Sequence, residues 1–267
     1  MTLISLLEYQ VGLNDQTTKQ GVVQKYAQSS EVLRVLGFKD ITGGAYAYTR
    51  EDTLATVAFR GIGGSYTANS SVLLPLVEIP ALAGGKVEID TALIKRHGVA
   101  RKGIERAMKI KALAQTWTVK FFKGDPETDS NEFWGLQSRV IGDQLVPAGA
   151  TSGGNVLSLT KLDQAIDQCI QPDVMFTTKA ILRLMKTAAR TAAVAGNINY
   201  TLDEFGRDVM TYNSIPMLAV DTLGMATAPL GYNEVASGGG SAVTTSIYIC
   251  HLGEAALHGI QTGPISV

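Results

Sequence analysis

Cysteine, histidine and charged residues are all scarce in this 267-residue sequence. Its two cysteines, Cys169 and Cys250, are too few and too far apart for a disulfide framework, which indicates a reducing compartment. Charged residues make up 18%, below the usual share of about 25%. The formal net charge of −1 gives no dominant basic field that would recruit nucleic acid.

Long apolar runs are also missing. No stretch approaches the roughly 18 apolar residues that a membrane-spanning helix requires, so we expect no membrane partner. The N-terminus has no basic lead and meets Glu8 before an adequate apolar run, so we expect no signal peptide. A chain of this length, 45% hydrophobic, can bury a core of one large domain or two small ones, and we expect it to be soluble.

Common catalytic motifs are absent as well. The sequence has no GxxxxGK phosphate loop, no GxSxG nucleophile elbow and no HExxH zinc motif. The stretch GIGGSY (61–66) has its third glycine misplaced for a dinucleotide loop and leads into no helix, which favours a hairpin turn. We therefore predict no catalytic residue and no cofactor.

Three side chains near the C-terminus could form a metal trio on one helical face: His251, Glu254 and His258. The stretch SIYICHLGEAALHG begins as a strand and breaks at Gly253, which favours structural roles, and we predict no metal site. Cys250 and His251 form no dyad, because neighbouring side chains on a strand point to opposite faces.

Two extended runs, AYAYTREDTLATVAFR and SVLLPLVEIP, flank the Gly/Ser-rich GIGGSYTANS and predict a long β-hairpin. Pro75 and Pro80 restrict the second strand to an edge position. A long two-stranded ribbon is marginal by itself in water, so we expect another chain to support it.

Apolar residues at alternating three- and four-residue steps predict a long helix over 99–122 that stops at Gly124. Nine basic residues lie between Lys95 and Lys123, against the single acid Glu105. A solvated helix face is the ordinary interpretation of such a run. The functional interpretation is contact with an acidic neighbouring surface or with nucleic acid.

The chain becomes α/β-like from Leu157 onward. Thr160 and Asp163 resemble a capping box at the start of a helix. Thr177 or Thr178 is expected to cap a second helix. The strand candidates are DVMF, DVMTYN, IPMLAVD and SIYICHL, and residues 222–241 read as a Gly-rich mobile loop.

This order of elements resembles the major capsid protein of tailed bacteriophages, the Hong Kong phage shell fold that encapsulins share. The segment FWGLQSR after the long helix and the stretch GRDVMTYNSIPMLAVD carry the resemblance. It implies an α+β fold made of five parts: an N-terminal arm (1–40), an extended β-hairpin loop (41–94), a peripheral domain with a long spine helix (95–145), an α/β axial domain (146–243) and a return to the peripheral domain (244–267).

The resemblance assigns roles to individual residues. Phe133, Gly135, Leu136 and Arg139 match the segment after the spine helix, and Gly206, Tyr212, Ile215, Pro216 and Asp221 match the axial strand pair. Phe133 and Trp134 would anchor a joint between domains, and Arg139 would pair there with a carboxylate or carbonyl; an ordinary core aromatic is the alternative for Trp134. Further interface candidates are Tyr46, Tyr48, Arg50 and Tyr232, and the candidate inner-surface basic face is Lys102, Arg106 and Lys109.

The implied function is structural, not enzymatic: self-assembly through rings of five and six subunits into an icosahedral shell that encloses phage DNA. Portal and scaffolding proteins would be partners, contact with packaged DNA would be non-specific, and the virion would be assembled in the host bacterial cytoplasm. Relatives usually continue beyond the last strand, so we expect either a shortened chain or a neighbour that supplies the missing part. No lysine–asparagine pair stands out for cross-linking, so we expect non-covalent assembly.

Two other functions stay open. An encapsulin-like compartment would use the same shell to hold cargo. An α/β enzyme would use residues 222–241 as a lid and His251 or His258 as its base.

Overall fold

The computed structural model describes residues 4–5, 25–26, 28–97, 100–149, 151–190, 198–202, 208–221 and 227–263. Within them the chain is α+β. The α-helices of the described residues are α1 Glu31–Val35, α2 Thr91–His97, α3 Ala100–Lys123, α4 Leu136–Arg139, α5 Leu159–Asp167 and α6 Lys179–Ala188. The described strands are β1 Ile4–Ser5, β2 Gly37–Asp40, β3 Tyr46–Thr53, β4 Val72–Glu78, β5 Val174–Thr177, β6 Ile198–Leu202, β7 Asp208–Tyr212, β8 Ile215–Ala219, β9 Glu234–Val235, β10 Ala242–Thr244, β11 Tyr248–Cys250 and β12 Gly259–Gln261.

The predicted long helix is confirmed as α3, whose 24 residues extend for about 36 Å at the standard rise per residue. Its inward stripe places Ile110, Ala114 and Phe121 in the core, as the apolar periodicity predicts. Among the described residues, no helix combines the length and apolarity that crossing a membrane would require.

The predicted hairpin is confirmed, although its first strand ends at Thr53 and the rest of the run AYAYTREDTLATVAFR forms no strand. Strands β3 and β4 pair antiparallel from Tyr46 opposite Glu78 to Thr53 opposite Val72. Gly61 and Gly64 close a turn in the connection, where the amide of Gly64 donates to the carbonyl of Gly61 over 3.1 Å. No third strand joins this ribbon in the described part of the chain.

A five-stranded sheet, ordered β11-β5-β8-β7-β6, forms the centre of the molecule. Strand β5 is buried on both faces because its side chains alternate between two cores. Val174 and Phe176 join the core beneath α3, whereas Met175 joins the core beneath α5 and α6. The sheet therefore separates α3 on one face from α6 on the other.

The segment 244–267, which the resemblance treats as one return to the peripheral domain, is divided between two sheets. Strand β11 pairs antiparallel with β5, in the central sheet. Strand β12 pairs parallel with β2, which in turn pairs with β1 of the expected N-terminal arm. Most of the remaining arm lies outside the described residues.

Two local predictions were wrong. Helix α5 begins at Leu159 after Ser158, so Thr160 lies inside the helix and forms no capping box. The segment 222–241 is not one irregular loop: within its described part, 227–241, strand β9 begins a short hairpin with β10. The other helix cap is confirmed at Thr178, whose side-chain oxygen accepts from the amide of Ile181 over 3.3 Å.

Candidate functional site

The base of the β3–β4 hairpin is attached to the body of the protein by Arg139. This side chain donates from Nη1 and Nη2 to the two carboxylate oxygens of Glu78, over 2.6 and 2.8 Å. Its Nε donates to the carbonyl of Trp134 over 3.0 Å. Tyr48 adds a third donor to Glu78 over 3.2 Å. A two-pronged arginine–carboxylate pair fixes orientation as well as distance, so it fixes the hairpin relative to helix α4.

The charges of this cluster support each other. Burial alone would raise the pKa of Glu78, but the hydrogen bonds and positive charge of Arg139 outweigh it and lower that pKa. The same hydrogen bond to Glu78 raises the pKa of Arg139. Burial and the nearby carboxylate raise the pKa of Tyr48, which keeps its hydroxyl protonated as a donor.

The start of β3 has a second attachment through Tyr46. The ammonium of Lys39 lies 5.2 Å from the centre of the Tyr46 ring and 3.1 Å from a carboxylate oxygen of Glu254. The rings of Tyr48 and His258 lie 5.9 and 5.8 Å from that of Tyr46. Both strands of the hairpin are thus held at their base by polar and aromatic contacts.

Beyond its base, the hairpin is exposed over almost its whole length. From Thr49 to Pro75 every side chain except Ala55 is exposed. The exposed set includes large apolar side chains, with Phe59 and Ile62 fully accessible: Leu54, Val57, Phe59, Ile62, Tyr66, Val72, Leu73 and Leu74. A soluble monomer rarely leaves so much contiguous apolar surface uncovered.

The FWG stretch packs closely against the C-terminal end of helix α3. The amide of Gly135 donates to the carbonyl of Gly124 over 2.9 Å, and the two backbones lie so close that a Cβ on either glycine would collide with the other strand of chain. Phe133 packs against Trp117 in the core, and Leu136 is buried beside it. The ring of Trp134 is more than one-third exposed, so its core alternative was wrong.

The remaining interface candidates lie apart from this site. Arg50 is exposed on β3, and Tyr232 is half exposed just before β9. The basic-face candidates Lys102, Arg106 and Lys109 are all exposed, and their spacing of four and three residues places them on one flank of α3. Their contact with DNA or with a neighbour stays a prediction.

The residues matched to the axial strand pair have structural partners. Tyr212 is fully buried, and its hydroxyl donates to Asp163 over 2.8 Å. Asp221 accepts from the amide of Lys179 over 2.8 Å at the start of α6. Ile215 is buried and Pro216 half-buried at the start of β8. Gly206 lies outside the described residues.

The candidate bases of the enzyme alternative have separate surroundings. Nδ1 of His251 lies 2.7 Å from a carboxylate oxygen of Asp173, and Nδ1 of His258 lies 3.0 Å from the carbonyl of Ala256. Cys250 is buried, which raises the pKa of its thiol to about 12. In the part of the chain that the structure describes, no three His, Cys, Asp or Glu side chains converge as a metal site would require.

Sequence reasoning missed the partners at the hairpin base. Glu78 is the single acid of β4 and ends an otherwise apolar strand. Its position was the one feature of the sequence that could have indicated a paired carboxylate. Lys39 and Glu254 are separated by more than two hundred residues, so no local pattern links them.

No protein-family model matches the chain, and no curated protein matches it either.

Proposed function

We propose that this chain is a structural protein that self-assembles into a closed shell, as the major capsid protein of a tailed bacteriophage does. The observation that carries the proposal is the hairpin, which is fixed at its base and exposes apolar side chains along its length. Such a ribbon is stabilised when copies of the same protein cover it. Obligate contacts of this kind bury about 2,000 Å² or more, and an extended element supplies such area with few residues.

The proposal extends to the fold and the partners. The joint at Gly124 and Gly135 would connect the peripheral and axial parts, and Arg139 would set the angle at which the hairpin leaves its subunit. Rings of five and six subunits would close the shell. Portal and scaffolding proteins and packaged DNA would be the other partners, and the virion the final location.

The experiment follows assembly of the full chain with rising concentration, by light scattering and negative-stain electron microscopy. We expect rings or shells from the natural sequence, and none from the double variant Phe59→Asp, Ile62→Asp. The matched control is Ser65→Asp, Thr67→Asp, which adds the same charge to exposed polar positions of the same hairpin. A protein that stays monomeric with its natural assembly partners, or that assembles equally well in both variants, would contradict the proposal.

The contents of the particles separate the two kinds of shell. Nuclease-protected DNA inside them is expected for a virion, whereas a protein cargo would identify an encapsulin-like compartment.

A further inference from the structure

The outer face of helix α6 carries a row of basic side chains. Lys179, Arg183 and Lys186 lie on α6, and Arg190 lies in the turn that continues it, where its amide donates to the carbonyl of Thr187. Successive spacings of four, three and four residues place all four on one side of the helix over about 16 Å. All four side chains are exposed.

This basic row has no ion-pair partner among the described residues, although the carboxylate of Asp221 accepts from the backbone amide of Lys179 at the start of the helix. Residues 174–202 contain no Asp or Glu, and none of the four side chains forms an ion pair with a described residue. The opposite face of α6 is buried through Ile181 and Met185. Like charges three and four residues apart repel each other, so an external anionic surface would relieve the row.

A complementary surface follows the C-terminus of α3. The loop 125–132 contains four acids and no base. Glu132 pairs with Lys120, whereas Asp125, Glu127 and Asp129 have no ion-pair partner among the described residues.

Two carboxylates of this acidic loop, Asp125 and Asp129, are held in place by amides and side chains of the same loop. Asp125 accepts from the amide of Glu127 over 3.1 Å and from the hydroxyl of Thr128 over 2.8 Å. Asp129 accepts from the amide and side chain of Asn131, over 3.0 and 2.9 Å. A rigid anionic loop loses little conformational entropy when it binds.

Helices α3 and α6, which carry the two charged surfaces at or beside them, lie on opposite faces of the central sheet. Helix α3, which leads into the acidic loop, packs through Phe121 and Phe122 on the face of the central sheet that receives Phe176. Helix α6 packs on the opposite face, through Met185, against the core that receives Met175. Contact between such surfaces would join two copies head to tail, and repeated head-to-tail contacts close into rings.

We propose that the basic row of α6 binds the acidic loop 125–132 of a second copy of this chain. The inference rests on the proposed function and adds to it the surface through which neighbouring subunits recognise each other. Leu184, half exposed beside the row, adds an apolar contact that suits a protein surface better than a phosphate backbone. Charge complementarity of this kind chooses partner and register more than it adds affinity.

The direct test mixes copies labelled with light and heavy nitrogen and treats them with a carbodiimide, which joins an amine to a carboxylate in contact with it. We expect links from Lys179 or Lys186 to Glu127 or Asp129 that connect a light to a heavy copy. The variant Arg183→Glu, Lys186→Glu should lose these links and raise the assembly concentration by about tenfold or more, because like charges would then face each other.

Two further variants make the test specific. Adding Glu127→Lys and Asp129→Lys to this variant should restore assembly, since the two introduced lysines then face the two introduced carboxylates. Reversing Lys86 and Lys161 to Glu, at exposed positions outside both surfaces, changes the net charge by the same amount and should leave the links intact. Circular dichroism checks that every variant remains folded.

Several outcomes would overturn the inference. They are links found only within one copy, links that survive the Arg183→Glu, Lys186→Glu variant, and equal loss of links in the control at Lys86 and Lys161. Loss of binding to a short DNA duplex with unchanged self-association would instead identify nucleic acid as the partner of the row. If particles form and need Phe59 and Ile62 but not the row, this inference alone fails; if no variant or natural protein assembles, the proposed function fails.

Discussion

Replacing Arg139 with glutamine should loosen the base of the β3–β4 hairpin while leaving the core folded. The substitution removes both bonds to Glu78 and the bond to the carbonyl of Trp134. The core clusters of the central sheet do not include Arg139, so their packing is unchanged. The expected result is a local opening rather than global unfolding.

The magnitude follows from how exposed the pair is. The side chains of Arg139 and Glu78 are 36% and 20% exposed, intermediate between a surface pair and a buried one. Exposed pairs contribute about 0.2–1 kcal/mol, and breaking a buried pair costs about 3–5 kcal/mol. Because the pair is two-pronged and partly buried, we expect its loss to cost about 1–2 kcal/mol, between the value for an exposed pair and that for a buried one. A cost of this size makes the locally opened state about 5–30-fold more populated, and the amide hydrogens of the hairpin exchange faster by the same factor.

Hydrogen exchange read by mass spectrometry on peptides covering 46–53 and 72–78 measures this effect. A double-mutant cycle with Glu78→Gln isolates the pair from other consequences of each substitution. Arg50→Gln is the matched control, because Arg50 is an exposed arginine on β3 of the same hairpin with no ion-pair partner among described residues. Equal loss of protection in the two arginine variants, or a coupling below about 0.5 kcal/mol, would refute the assigned role of the pair.

Three further predictions concern pH and stability. The pKa of Glu78 is lower in the folded protein than its ordinary 4.5. As the pH falls below 4.5, the unfolded chain therefore binds more protons at this residue than the folded chain does, and the stability that the ionised Glu78 contributes is lost. Protection factors of the hairpin should drop in this acid range in the natural protein and change less with Arg139→Gln. Phe176→Ala, at a fully buried ring, should lower the free energy of unfolding by about 3–5 kcal/mol in urea titration, and a loss below 1 kcal/mol would contradict its core position. Tyr212→Phe should cost about 1–2 kcal/mol in the same assay by removing the bond to Asp163, and no measurable change would show that this bond contributes nothing net.

Elements with a local repeat were predictable from sequence. Helix α3 is amphipathic at the helical period, and strands β3 and β4 carry β-branched and aromatic runs on either side of a Gly-rich turn. The cap at Thr178 follows from the side chain's ability to accept from a free amide in the first helical turn. In each case the determining residues lie within one turn or one strand of each other.

Pairings between distant segments were not predictable. Strand β12 pairs with β2 across more than two hundred residues, and β11 pairs with β5 instead of joining the β1-β2-β12 sheet. Neither strand is longer than three residues, so neither contains enough pattern to specify a partner. The same limit applies to the hairpin base, where Arg139 needed a carboxylate or carbonyl but the sequence could not identify Glu78.

The energetics of the exposed hairpin argue for more than one contact per subunit. Fully covering a large apolar side chain contributes roughly 1.5–3 kcal/mol, so the five at and around the turn, Leu54 to Tyr66, contribute on the order of 10 kcal/mol. Loss of rigid-body freedom on association costs about 4–15 kcal/mol, a comparable amount. Association through the hairpin alone would therefore have a free energy near zero, even though the base of the hairpin is already ordered. A second, orientation-specific contact, such as that of the basic row with the acidic loop, would shift this balance toward assembly and select one register. In the proposed assembly, closing a ring would add a contact without a further loss of rigid-body freedom, so closed rings would be favoured over open dimers.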